Sequence, residues 1–342
     1  MRGKGINYDT GFLPGGHISR ETFDPETVRA EMRVIAEELH CTAVRITGGH
    51  PERLSVAARH AADAGLEVWF APFPCEMTTR ELAPYFAECA ERAEQVRRDG
   101  AEVVLVTGCE LSFFAAGFLP GETFFDRMAA VGKKDPELYA RFAEIPARLN
   151  PFLAETAEAA RELFGGRVTY ASGDWEGVDW DPFDIVAVDA YRDDRNTASY
   201  REELRSRFRF GKPVAVTEFG TCAYTGAGAR GGMAWAIVDH TANPPRLDGD
   251  YRRDEGEQVR YLRELLDVFE EEGVDSAFWF TFAGYNTSYD PDPRRDLDMS
   301  SYGVVRLLKD GGREPKAGGR EPKEVFHALA AAYSGGRAEA AT

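Results

Sequence analysis

The 342-residue sequence predicts an α/β fold, a (β/α)8 barrel, on two observations. Short β-branched apolar runs alternate with helix-length amphipathic segments along the chain, which is typical of βαβ units and a parallel sheet. Two of these runs end in a glutamate: the segment 103–110 ends at Glu110, and the segment 213–218 ends at Glu218. A doubly wound open sheet is the alternative, but it would favour a glycine-rich phosphate-binding turn after the first strand. Asn7-Tyr8-Asp9 occupies that position instead.

The first half of the chain supplies four predicted strands and three predicted helices. The first helix follows Asp24-Pro25, an N-cap with proline at the first helical position. The second ends at Gly65, and the third ends at Asp99-Gly100. The predicted strands are 4–8, 42–47, 66–71 and 103–107, and the second and third helices are 51–64 and 79–98.

The second half continues the repeat with one irregularity. The segment 172–184 is too short for a full helix, so helix 5 is expected to be short or missing. A phenylalanine-rich long loop is expected at 111–135, before a helix that breaks near Pro146 or Pro151. The remaining predicted strands are 168–171, 185–189, 213–217 and 276–280, and the helices are 136–164, 199–208, 255–272 and 322–333. These elements form one predicted domain, 1–333, before a disordered tail at 334–342.

Composition excludes several classes of partner. The net charge of -17 argues against nucleic acid and against an anionic membrane surface, which both need a basic face. No apolar run approaches the ~20 residues that cross a bilayer, and no signal peptide is visible. Five cysteines without a CxxC motif suit reduced thiols. We therefore expect a cytoplasmic protein, although a removed leader and the oligomeric state stay open.

The two glutamates at strand ends carry the functional argument. Glu110 follows the fourth strand and Glu218 ends the seventh, so both lie at the face where such barrels perform chemistry. These strands are across the barrel from each other, and their side chains can converge over its mouth. A protonated and an ionised carboxyl about 5–5.5 Å apart form the pair that cleaves glycosides with retention. Solvated loop carboxylates are the alternative interpretation.

The Val-Thr-Glu-Phe-Gly segment at 216–220 resembles the nucleophile motif of the retaining glycoside hydrolases of clan A. The resemblance implies that Glu110 is the acid/base, that Glu218 is the nucleophile and that no cofactor is needed. It also implies Arg45 and Tyr191 as supports of the nucleophile and Trp279 as the floor of the sugar site. The full set of expected substrate-binding residues is Asn7, Arg45, Cys109, Trp175, Tyr191 and Trp279.

The chain departs from the clan at Cys109, where many members carry an asparagine that binds the sugar 2-hydroxyl. A thiol is a weak hydrogen-bond donor. Either the substrate differs, or another residue supplies the contact, or the barrel no longer hydrolyses glycosides. The last option includes a sugar-binding pseudoenzyme and a barrel adapted to a biosynthetic reaction.

A zinc-dependent barrel hydrolase is a third hypothesis. Cys75, Cys109 and Cys222 closely follow predicted strands, and His17 and His50 are in neighbouring loops. Their spacing matches no zinc signature, so no metal site is expected. The expected substrate is a small glycoside or an oligosaccharide.

Overall fold

The computed structural model describes residues 1–308 and 319–335, and its centre is a ring of eight parallel strands. The sheet order is β5-β4-β3-β2-β1-β10-β7-β6, and a parallel bridge between Ser172 and Val188 joins the last strand to the first. This closure confirms the (β/α)8 barrel and excludes the open sheet. The described strands are β1 (Gly3–Asp9), β2 (Ala43–Gly48), β3 (Glu67–Pro72), β4 (Val103–Cys109), β5 (Arg167–Ala171), β6 (Val186–Asp189), β7 (Val214–Phe219), β8 (Val238–Asp239), β9 (Arg246–Leu247), β10 (Ser276–Trp279), β11 (Ala283–Tyr289), β12 (Val305–Leu308) and β13 (Arg320–Pro322).

Helices alternate with the barrel strands and cover their outer faces. The Asp24 carboxylate caps the first helix by accepting from the Thr27 N–H, as the Asp-Pro signal predicted. Gly273 ends the longest helix of the second half in a left-handed conformation. The described α-helices are α1 (Pro25–Arg33), α2 (Pro51–Asp63), α3 (Thr79–Arg98), α4 (Leu111–Phe114), α5 (Phe124–Gly132), α6 (Pro136–Phe142), α7 (Ile145–Leu163), α8 (Tyr200–Ser206), α9 (Glu255–Glu272) and α10 (Glu324–Tyr333).

Aromatic side chains fill the inside of the barrel. Trp69 of β3 and Phe278 of β10 come from strands that are not neighbours, yet their rings are 4.7 Å apart, so they meet across the interior. Both are fully buried. A Cβ at Gly5 on β1 would lie 2.3 Å from the Phe278 ring, so glycine is needed there for the ring to fit.

The segment after β4 corrects one prediction. Residues 111–135 were expected to form a long loop, but the structure contains α4 and α5 there. Thr123 and Asp126 form a capping box that starts α5, and Phe124 of α5 stacks on Phe114 of α4 with ring centroids 4.4 Å apart. The predicted fourth helix is two helices, α6 and α7, and they separate at 143–144, near Pro146. Pro151 stays inside α7.

The short connection between β5 and β6 agrees with the sequence. It holds a single turn of 3-10 helix, Asp174–Glu176, so helix 5 is missing as expected. The last helix starts at Glu324 rather than at 322, because Arg320–Pro322 pairs with β12 as β13. Part of a near-tandem repeat, 311–318, and most of the predicted tail, 336–342, lie outside the described residues. The one-domain assignment of 1–333 stays a prediction.

Loops at the C-terminal end of the strands are joined by a single carboxylate. Glu76, after β3, accepts hydrogen bonds from the Gly15 N–H at 3.1 Å and from the Phe124 N–H at 2.8 Å. This contact joins the loops that follow β1, β3 and β4 around the mouth. No helix in the described part of the chain is both long and apolar enough to cross a membrane.

Replacing Phe278 by alanine should open a cavity in the barrel interior. We expect the free energy of unfolding to fall by about 3–5 kcal/mol, the usual cost for a buried phenylalanine. Phe125 on α5 is 38% exposed, and F125A should cost less than about 1 kcal/mol. Denaturant unfolding of both variants provides the comparison, and equal losses would contradict the interior placement of Phe278.

Candidate active site

The chain turns sharply where β4 delivers Glu110 to the mouth. Glu110 has φ 43° and ψ 43°, a left-handed conformation that costs energy for a residue other than glycine, and Gly108 before it has φ 106°. The turn is fixed by two hydrogen bonds. The Glu110 N–H donates to the Ala171 carbonyl at 3.0 Å, and the Leu111 N–H donates to the Tyr170 hydroxyl at 2.7 Å. These two hydrogen bonds to β5 therefore stabilise the strained backbone conformation of Glu110.

Glu176, in the short β5–β6 connection, supports this turn from below. It is fully buried, and its carboxylate accepts from the Tyr170 hydroxyl at 2.9 Å and from the Ser112 N–H at 3.0 Å. The Gly173 N–H donates to it as well, at 3.2 Å. Sequence reasoning missed Glu176, because its role depends on contacts with residues about 64 positions away. In the sequence, the only indication of this role was that Glu176 is an acidic residue next to Trp175.

Glu218, on β7, is held in place by a guanidinium and a phenol. Arg45 Nη1 donates to Glu218 Oε1 at 2.7 Å, and the Tyr191 hydroxyl donates to Oε2 at 2.9 Å. Arg45 also donates to Asn7 Oδ1 at 2.8 Å, and Asn7 Nδ2 donates to the Thr217 carbonyl at 2.9 Å. Both partners stabilise an ionised Glu218, and Asn7 fixes the position of Arg45.

Cys109 and Asp189 occupy the space beside the nucleophile candidate. The Cys109 thiol lies 3.3 Å from Asp189 Oδ2 and 3.7 Å from Glu218 Oε1, so Asp189 is its nearer acceptor. Cys109 and Asp189 are 3% and 4% exposed. The sequence analysis did not single out Asp189, although it ends β6 as Glu218 nearly ends β7. Its position as a carboxylate at the end of a predicted strand could have identified it.

The surroundings of Glu110 and Glu218 favour different protonation states for the two carboxyls. Burial raises the pKa of the Glu110 carboxyl well above its ordinary value, and the neighbouring charges of Asp189 and Glu218 raise it further. Burial also raises the pKa of Asp189, with Glu218 as the next cause. Glu110 therefore keeps its proton toward neutral pH, as a general acid requires, while Arg45 and Tyr191 support a charged Glu218.

The six expected substrate-binding residues differ in exposure. Asn7, Arg45, Cys109 and Trp279 are buried, Tyr191 is partly exposed, and Trp175 is 36% exposed. The Trp279 indole N–H donates to the Tyr302 carbonyl at 3.0 Å, and its ring meets Phe219 edge-on. Trp279 thus packs beneath the mouth in this structure. Contact between any of these six residues and a sugar stays a prediction.

A partly exposed aromatic wall on the β7 side of the mouth was not foreseen. Phe280 lies edge-on to Tyr302 with ring centroids 5.6 Å apart, and Tyr302 meets Tyr191 at 6.0 Å. Because Tyr191 contacts Glu218, this wall continues directly to the nucleophile candidate. Phe280 directly follows Trp279 at the end of β10, so the residue predicted from the sequence is the neighbour of this partly exposed ring.

The thiols do not assemble as the zinc hypothesis requires. Among the described residues, the group with metal-ligand spacing is Cys109, Asp189 and Glu218, with ligand atoms within 4.8 Å of one another. Arg45 already supplies positive charge to this group, which disfavours a cation there. Burial raises the pKa of Cys109 well above its ordinary value and that of Cys75 to about 12, so neither is a ready thiolate ligand.

Comparison with solved structures finds the same barrel in glycosidases. A GH113 β-1,4-mannanase superposes with a TM-score of 0.61 and 15% identity, covering 98% of this chain and 100% of the mannanase. The GH113 β-mannanase AaManA from Alicyclobacillus acidocaldarius, in complex with ManMIm, gives 0.59 and 16%, covering 97% of each chain. An apo β-glucosidase, 1317, gives 0.57 and 12%, covering 98% of this chain and 99% of that one.

Sequence comparison adds no family. No protein-family profile and no curated protein sequence matches this chain. At identities of 12–16% the structural likeness establishes the fold alone. It agrees with the (β/α)8 barrel predicted from the sequence, and the activity has to be argued from the residues at the C-terminal face.

Glu110→Gln should stabilise the protein in a pH-dependent way. A folded-state pKa above the unfolded value means that the folded chain binds the proton more tightly, so Glu110 lowers stability progressively as pH rises above the unfolded pKa of about 4.3. Glutamine removes that penalty. We expect a higher melting temperature than wild type at pH 7 and little difference at pH 4.

The control is Glu264→Gln, since Glu264 is half exposed on its surface helix and pairs with Arg192. Thermal unfolding across pH 4–8 measures both variants. A gain for E110Q that is constant with pH, or larger in acid, would contradict the raised pKa of Glu110.

Proposed function

We propose that this protein is a retaining glycoside hydrolase that cleaves a β-glycosidic bond by double displacement. The observation that carries the proposal is Glu218 Oε1 and Oε2 held by Arg45 and Tyr191, at the end of β7 across the barrel from Glu110. A carboxylate fixed by two donors has one orientation toward the mouth. The two glutamates occupy the strand ends from which a nucleophile and an acid can reach opposite faces of one sugar.

The first step uses the different protonation of the two carboxyls. Glu218 attacks the anomeric carbon and forms a glycosyl ester as the bond to the leaving oxygen breaks. Glu110 gives its proton to that oxygen, because its raised pKa keeps the proton available near neutral pH. The leaving alcohol departs with the proton, and Glu110 is left as a carboxylate.

The second step reverses these roles. The Glu110 carboxylate takes a proton from a water molecule, and the water oxygen attacks the anomeric carbon from the side the leaving group vacated. The ester bond breaks and returns Glu218 as a carboxylate to Arg45 and Tyr191. Two inversions give net retention, and Glu110 ends protonated as it began.

The substrate class follows from the mouth and from the neighbours. The partly exposed rings of Trp175, Tyr191 and Phe280 suit the C–H faces of a sugar. The solved structures named above are β-mannanases and a β-glucosidase, so we propose a β-linked gluco- or manno-configured glycoside or oligosaccharide.

A sugar-binding barrel without hydrolysis is the second candidate, and one observation favours it. Cys109 is buried against Asp189 and has no amide with which to bind a sugar 2-hydroxyl. In that case the mouth would bind sugars with no turnover. The experiment below separates the two functions.

Alanine at each glutamate should produce different losses on activated substrates. On 2,4-dinitrophenyl β-glucoside or β-mannoside the leaving group needs no acid, so E110A should still form the ester and then hydrolyse it slowly. E218A should lose at least about 10⁴-fold in kcat/KM, because no nucleophile remains. A burst of dinitrophenol followed by a slow steady state is expected for E110A alone.

E88A is the matched control, because Glu88 is half exposed on α3 and its ion-pair partner is Arg92 of the same helix. It should retain wild-type turnover. Wild-type rates in E218A would contradict the proposed nucleophile. Sugar binding by wild type with no turnover on any β-glycoside would favour the non-hydrolytic barrel.

A further inference from the structure

Arg45 is a buried cation with a single ion-pair partner in the described structure. Its side chain is fully buried, and Glu218 is the carboxylate it contacts. Two of its nitrogens, Nε and Nη2, are buried without a hydrogen-bond partner. An isolated charge in such a place is costly, so the Arg45 site depends on a nearby negative charge.

The proposed reaction removes that negative charge. While the sugar is esterified to Glu218, the carboxyl is neutral, and the Arg45 guanidinium no longer faces an anion. Glu110 becomes a carboxylate in this step, but among the described contacts Arg45 pairs with Glu218 and not with Glu110. Without another anion beside it, Arg45 would be an unpaired buried cation in the covalent intermediate. Breaking a buried pair by neutralising one partner is strongly unfavourable.

Asp189 lies one side chain away from this pair. A carboxylate oxygen of Asp189 is within 4.8 Å of a Glu218 oxygen, and Cys109 bridges the two carboxyls. Asp189 Oδ1 is buried and has no hydrogen-bond partner. Its field already acts on Arg45, together with those of Cys109 and Glu218. The site thus contains one unsatisfied acceptor, Asp189 Oδ1, and two unsatisfied donors, Arg45 Nε and Nη2.

We propose that Asp189 is a reserve counterion, a carboxyl that carries the negative charge opposite Arg45 whenever Glu218 is neutral. It is a positioning residue rather than a catalytic one, because it acts through Arg45. The inference about the intermediate rests on the proposed function, whereas the charge exchange between Asp189 and Glu218 does not.

The proton balance follows from the surroundings of Asp189. When Glu218 is charged, burial and the Glu218 carboxylate keep the pKa of Asp189 high, so Asp189 holds a proton while its Oδ2 accepts from the Cys109 thiol. When Glu218 becomes an ester, the repulsion ends while the attraction of Arg45 remains. Asp189 then releases its proton to solvent and takes it back when hydrolysis frees Glu218.

A double-mutant cycle on thermal stability tests the exchange without any substrate. All variants carry Glu110→Gln, so that Glu110 cannot serve as the anion. In this background E218Q and D189N should each change the melting temperature only slightly, because the other carboxyl balances Arg45. The combination should lose about 5 °C or more beyond the sum of the two single changes, because Arg45 is then unpaired.

Two controls make the cycle specific. Asp184 precedes β6 at the opposite end of the barrel and is paired with Arg161, so D184N should be additive with E218Q. Replacing Arg45 by methionine in the double variant should remove the non-additive loss, since the unpaired cation is gone. Additive losses for D189N and E218Q would overturn the proposal, as would a non-additive loss that survives R45M.

A kinetic measurement separates this inference from the proposed function. In the E110A background, where a burst is expected, D189N should slow ester formation on dinitrophenyl β-glycosides by at least 10-fold and shrink the burst, because the intermediate loses its counterion. A non-additive loss of melting temperature in the double-mutant cycle, with no turnover in wild type, would support the charge exchange between Asp189 and Glu218 and reject the proposed glycosidase activity. An unchanged burst when D189N is added to E110A would reject the role of Asp189 in the intermediate.

Discussion

The buried ion pair between Arg45 and Glu218 is the interaction on which the mouth of this barrel depends. It joins β2 to β7 across the strand ends, at 2.7 Å, with the arginine fully enclosed. Asn7 from β1 holds the guanidinium, and Tyr191 after β6 holds the carboxylate. Four barrel segments thus converge on one charge pair. Without the arginine, three neighbouring acidic side chains would face one another in a poorly solvated space.

This concentration of carboxyls gives the site its chemistry. Glu110, Asp189 and Glu218 cannot all ionise together, so the protons stay on those with the fewest stabilising partners. Glu218 has two charge-stabilising donors, whereas Asp189 has one weak thiol donor. Cys109 lies between the two carboxyls of β6 and β7, with its sulfur 3.3 Å from an Asp189 oxygen and 3.7 Å from a Glu218 oxygen.

The turn at Glu110 shows how the fold stores strain where the acid is needed. Its left-handed backbone is fixed by Tyr170 and Ala171 of β5, and Glu176 fixes Tyr170 in turn. The missing fifth helix makes this possible, because the short β5–β6 connection brings Glu176 under the turn. The missing fifth helix and the position of Glu110 are therefore linked through the short β5–β6 connection that carries Glu176.

Much of this arrangement could be predicted from the sequence, and the rest depends on contacts between distant residues. The strands, the missing helix and the placement of Glu110 and Glu218 at strand ends follow from local periodicity and from parallel topology. Asp189 and Glu176 were missed because their roles arise from burial and from partners tens of residues away. The α4–α5 segment was wrongly predicted as a loop because α4 and α5 have only four and nine residues, which gives a helical period few positions to appear in.

The most direct test of the account is intact-mass spectrometry after exposure to a panel of 2-deoxy-2-fluoro-β-glycosyl fluorides. These compounds trap a retaining nucleophile as a stable ester. We predict an adduct with a gluco- or manno-configured reagent, mapping by peptide analysis to Glu218 and absent from E218Q. An adduct on another carboxyl such as Asp189, or no adduct with any reagent on folded protein, would contradict the assignment of Glu218 as the nucleophile.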